Sequence, residues 1–112
     1  MHKDKVKLGF TTIQHDPRLR HKLSNNEYCI ADAVYHLSHN PDSIAPGWCF
    51  ARREKLGKFF GLSRRTVINA ISKLKDKGLL DIDKETNYLR TTKKWYEDFI
   101  LFELQEKEKH RM

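Results

Sequence analysis

RREKLGKFFGLSRRTVINAISKLKDKGLL, residues 52 to 80, is the stretch whose reading decides the fold. Gly61 divides it, a residue free to take the positive φ that a tight turn requires. Before Gly61, Leu56, Phe59 and Phe60 form the inward side of a helix over about 52–60. After it, Ser63 is an N-cap residue, and Gly78 supplies the stop for a helix that runs to about Lys77. Val67, Ala70, Ile71 and Leu74 follow the i, i+3, i+4, i+7 spacing of one buried stripe. Gly57, four residues before Gly61, stands where the two helices cross and only a small side chain fits. Val67, six residues after Gly61, points back into that crossing.

Charge is concentrated in the same stretch. Residues 52 to 77 carry nine basic and two acidic residues, which accounts for the whole formal charge of +7; the rest of the 112-residue chain balances. Such a distribution predicts a polyanion-binding element on an otherwise neutral domain.

Upstream, Ser24 precedes Glu27 by three residues, a capping-box spacing. It opens a helix with Ile30, Ala33, Val34 and Leu37 inward, which Asn40-Pro41 ends. Val6, Leu8 and Phe10 alternate within 5–13, as a strand or an arm, and HDPRLRHK after them reads as a connection. Residues 40 to 47, with two prolines and a glycine, form a loop, and Trp48, Cys49 and Phe50 a short strand. Downstream, LLDI at 79–82 and YLRT at 88–91 flank the polar tip DKETN and predict a hairpin. A last helix spans about 93–109, with Trp95, Phe99 and Phe102 on one line and Tyr96, Ile100 and Leu104 beside it.

Helix, short strand, helix, tight turn, helix, hairpin is the order of a winged helix-turn-helix. The expected class is therefore mainly α with a small β-hairpin wing (α+β), with an extra C-terminal helix. A single domain is expected over 1–112, with its core at 24–92. In that architecture the helix after Gly61 enters the major groove. Its side opposite the buried stripe carries Arg65, Asn69, Ser72 and Asp76, flanked by Ile68; Asp76 at the far end is expected beyond the DNA, and the other four are the expected base contacts. Arg and Asn have the shapes for bidentate readout of guanine and adenine. Ser63, Arg64 and Thr66 at the helix start and Lys73 on its flank suit phosphates, as do Arg52, Arg53, Lys55 and Lys58 on the preceding helix and Lys84 at the wing tip.

Other chemistries lack an anchor. No P-loop, GxSxG, HExxH or nucleotide-binding glycine pattern occurs, so no enzyme, catalytic residue or cofactor is expected. His36, His39 and Cys29 lack a fourth partner for a metal site. The longest strictly apolar run, Phe99 to Phe102, falls far short of the about 20 residues that span a bilayer, so no membrane partner is expected. Two isolated cysteines, Cys29 and Cys49, and an amino terminus without an apolar signal run fit the cytoplasm. The last helix either covers the domain's own core or, given its width, packs on a second copy; the width favours a homodimer.

GLSRRTVINAISKLKDKGLL, residues 61 to 80, resembles winged-helix domains of bacteria, phages and plasmids, in which the glycine, the Ser-Arg-Arg-Thr-Val start and a terminal Lys-Gly-Leu-Leu recur. The preceding LSNNEYCIADAVYHLSHNPDSIAPGWCFARREKLGKFF looks like the amino-terminal domain of phage and plasmid replication initiators and replisome organisers. The resemblance, over about residues 5 to 91, implies duplex DNA as partner. It implies a role in replication initiation or in transcription regulation, with Arg64, Arg65, Thr66 and Asn69 reading DNA. Two departures stand out: Gly57 replaces the usual alanine, which is expected to loosen the helix before Gly61 slightly, and no second domain for a helicase or primase partner is expected. The alternative is a winged helix that binds another protein and not DNA.

Overall fold

The computed structural model describes residues 11–39 and 47–110. The alternation at residues 5–10 and the proline-rich loop up to residue 46 lie outside the described residues. The described residues are mainly helical, with one two-stranded antiparallel sheet among them.

Its first helix, α1 (His15–Arg20), occupies the stretch expected as a connection. Pro17, the residue that argued against a helix, falls in the first turn, where no intrahelical N–H donor is needed, and its ring is buried. Lys22, with φ of 57°, reverses the chain. The Leu23 N–H then bonds the Arg18 carbonyl at 3.0 Å, and the Arg18 guanidinium donates to the Leu23 carbonyl at 2.7 Å.

The Ser24 capping box opens α2 (Asn25–Ser38). Ser24 Oγ accepts from the Glu27 N–H at 3.1 Å, and the Ser24 N–H donates to Glu27 Oε1 at 2.8 Å. Tyr28, Ile30, Ala31, Ala33 and Val34 are buried, and Leu37 is half-buried. Burial pushes the Tyr28 phenol up to about 12.

Helices α3 (Arg53–Phe60) and α4 (Arg64–Asp76) follow, then β1 (Leu80–Ile82) and β2 (Leu89–Thr91), with Asp81 opposite Arg90. Trp48 to Phe50 do not form a strand. Cys49 alone bridges Leu89, with its N–H on the Leu89 carbonyl at 2.6 Å and the reverse bond at 2.9 Å. That exchange puts Cys49 and Leu89 on the inner face and leaves Trp48, Phe50, Tyr88 and Arg90 on the outer one.

The last helix is not regular. After α5 (Lys93–Trp95) comes a π-helical turn (Tyr96–Ile100) and then α6 (Leu101–His110). A π turn acts as a one-residue insertion, which rotates everything beyond it by about 100°. Trp95 and Phe99 both enter the core, stacked at 4.1 Å between ring centroids, with Tyr28 against both rings. Phe102 leaves their line and is only half-buried. His21 Nε2 lies 2.9 Å from the Asp98 carboxylate and ties α1 to the π turn.

The crossing of α3 and α4 is tight at Gly57, where the spacing predicts that only a small side chain fits. The Leu62 N–H bonds the Gly57 carbonyl at 2.9 Å, and a Cβ at position 57 would collide with the Leu62 carbonyl oxygen and press on Val67. Gly57→Ala gains about 1 kcal/mol of helix propensity but forces backbone apart in a packed crossing, which typically costs about 1–3 kcal/mol. A net loss of about 1 kcal/mol is expected by urea denaturation; an alanine variant as stable as the parent would show that the helices separate freely.

Candidate nucleic-acid interface

The turn between α3 and α4 is built from three residues with separate tasks. Gly61 closes α3 in the left-handed region, φ 69° and ψ 31°. Leu62 is half-buried against the core, and Ser63 caps α4, its Oγ accepting from the Thr66 N–H at 3.1 Å. The Ser63 and Thr66 hydroxyls are themselves 2.9 Å apart, so both side chains contribute to the cap. Val67, Ala70, Ile71 and Leu74 are all buried, as their spacing predicts. Fixing that stripe fixes the rotation of α4, because side chains on a helix turn together at 100° per residue.

The outward side therefore displays Arg65, Asn69 and Ser72, all exposed, with Ile68 38% exposed beside them. Ile68 stands one residue from Asn69 on that outward side. Among the described residues Arg65 makes no ion pair and no hydrogen bond, so its guanidinium is available outside the protein.

The other basic residues divide into three groups. Arg52, Lys55 and Lys58 are exposed along α3, and Lys84 is exposed at the hairpin tip. Arg64 and Lys73, also exposed, are each paired: Arg64 Nε lies 3.3 Å from Glu54, and Lys73 Nζ 3.5 Å from Glu27, the capping-box glutamate. Arg53 differs from all of these. Its guanidinium donates to the Asn87 carbonyl at 2.8 Å, so that it ties the start of α3 to the hairpin. Burial lowers its proton affinity, and the neighbouring Arg64 charge adds to that effect. Arg53 thus links α3 to the hairpin through one of its guanidinium N–H groups.

No family model matches the chain, and neither a curated protein nor a solved structure matches it.

The hairpin tip is set by its own short polar side chains. Asp83 accepts from both the Thr86 N–H and hydroxyl, Asn87 takes φ 63°, and these hydrogen bonds hold the Asp83 carboxyl below the usual carboxylate range. Arg90 lies over the Trp48 ring at 4.3 Å and within 3.4 Å of Asp81, which spends its charge inside the hairpin. Sequence reasoning missed the roles of Arg53, Glu54 and Asn87. Arg53 and Glu54 sit in a basic helix start where any charge looks solvated, and the partner of Arg53 is 34 residues away. His36, weighed as a metal ligand, instead faces Asp32 at 3.4 Å, and that contact raises its proton affinity.

Proposed function

We propose that the chain is a winged helix-turn-helix protein that binds duplex DNA in a sequence-specific way through α4, as a regulator or replication-initiation protein of a bacterium or mobile element. The observation that carries this is the outward side of α4. Arg65 and Asn69 are exposed on its N-terminal half, opposite an entirely buried stripe, at the end of the helix that would enter a major groove. Ile68 is shaped for a thymine methyl group, and Ser72 accepts or donates to either base type. Ser63, Arg64 and Thr66 would meet phosphate at the α4 start, and Arg52, Lys55 and Lys58 would meet it along α3. Lys73 and Lys84 would add contacts at the margins. Arg53 supports the interface from behind by fixing the hairpin beside α3.

A second role has its own observation. The outer face of the hairpin carries Phe50, 44% exposed, with Trp48 and Tyr88 beside it and an acidic tip, a composition better suited to a protein than to phosphate. On that alternative the chain is a protein-interaction module without DNA affinity.

Selection of bound sequences from random duplexes at low salt separates the two. Specific DNA binding predicts an enriched motif and, for about six phosphate contacts, a fall of log K against log salt with a slope of about −5. No retained DNA would overturn the DNA-binding role. The form of the motif bears on the homodimer: Leu104, 49% exposed, and half-buried Leu101 and Phe102 leave apolar surface on α6 for a second copy. Two copies would select half-sites about one helical turn apart, whereas a monomer would select one.

A further inference from the structure

Acidic residues are scarce on the basic face, and one of them is aimed at a residue expected to meet DNA. Glu54 lies in the first turn of α3, and its Oε2 is 3.3 Å from Arg64 Nε at the start of α4. Both side chains are open to solvent, 59% and 61% exposed, so a phosphate oxygen can reach the guanidinium without any rearrangement of the core. Carboxylate and phosphate approach a guanidinium through the same N–H groups and with similar geometry. An exposed ion pair is weak, which makes its exchange for another anion easily reversible. Arg53, next in sequence, is committed to Asn87 and does not compete for Glu54 through a hydrogen bond. Arg65, next to Arg64, has no acid within pairing distance among the described residues.

We infer that Glu54 is a built-in competitor for DNA phosphate, occupying Arg64 in the free protein and surrendering it when duplex DNA arrives. The inference rests on the DNA-binding role proposed above. It divides two adjacent arginines by function. Arg65 has no acid partner among the described residues, whereas Arg64 gives up its contact with Glu54 before its Nε–H can serve a phosphate, which lowers affinity for every duplex alike and restrains non-specific binding. Lys73 is also paired, but its partner Glu27 is only 13% exposed and closes the cap of α2, so Glu54 is the residue to test.

The experiment is a double-mutant cycle with Glu54→Gln and Arg64→Ala, read as the affinity for a labelled duplex of mixed sequence at low salt. Circular dichroism melts confirm that each variant is folded. Glu54→Gln is expected to tighten binding about three-fold in the parent, the range of an exposed ion pair, and to have no effect in the Arg64→Ala background. Glu54→Ala is expected to repeat the gain, which guards against a folding defect of one substitution. An equal gain in both backgrounds would mean that Glu54 acts only as a distant negative charge, and no gain would mean that it does not hold Arg64 against phosphate; either overturns the inference. If the parent protein retains no duplex at low salt, the DNA-binding role fails first and this inference falls with it.

Discussion

Arg65→Ala is expected to weaken binding to the selected duplex about 5- to 150-fold, the equivalent of about 1–3 kcal/mol for loss of a bidentate base contact. Binding to mixed-sequence duplex is expected to change by less than about three-fold. The contrast follows from geometry: Arg65 projects from the outward side of α4 without a partner among the described residues, so its removal leaves the core and the caps untouched. Arg52→Ala, on the neighbouring helix, is expected to weaken all sequences alike, because a phosphate contact carries no sequence information. Affinity measured on both duplexes for both variants gives the comparison. Equal losses on the two duplexes for Arg65→Ala would remove it from base readout, and no loss on either would favour the protein-interaction alternative.

Trp95→Ala is expected to cost about 3–5 kcal/mol of stability, against a total of about 5–15 kcal/mol for a domain of this kind. Trp95 is fully buried, stacked on Phe99 at 4.1 Å and packed on Tyr28 at 5.4 Å, so truncation empties the centre where α2 meets the last helical segment. Urea denaturation followed by circular dichroism should show the midpoint fall steeply, or no cooperative transition remain. Trp95→Phe separates volume from polarity. The indole N–H is buried with no hydrogen-bond partner among the described residues, so phenylalanine loses some volume but also removes an unsatisfied donor. It should cost far less than alanine. A Trp95→Ala protein that unfolds like the parent would mean that the aromatic stack does not hold the last helix to α2.

Elements whose causes are local were legible in the sequence. Ser24 and Glu27 cap α2 across three residues, Ser63 caps α4, and Gly61 closes α3 in the left-handed region; each depends on neighbours within one turn. The stripe from Val67 to Leu74 was legible for a related reason, since helical periodicity turns four apolar positions into one face. Signals that were weighed locally but decided elsewhere failed. HDPRLRHK, with Pro17 inside it, reads as a connection until the position of that proline in the first turn of α1 is known. The π turn at Tyr96–Ile100 leaves no mark in the periodicity of the last helix, because it re-aims Phe102 and Leu104 after Trp95 and Phe99 have met Tyr28.

The candidate interface divides along the same line. By itself the sequence determined that the whole net charge of +7 falls within residues 52 to 77 and that Arg65 and Asn69 lie opposite the buried stripe, because charge is a property of composition and helical rotation a property of spacing. Only the tertiary structure decided which of those charges are available. Arg53 donates to Asn87, Arg64 is paired with Glu54 and Lys73 with Glu27, while Arg65 makes no ion pair or hydrogen bond among the described residues. The pairings depend on distances between separate elements, which come into being when α2, α3, α4 and the hairpin close on a common core.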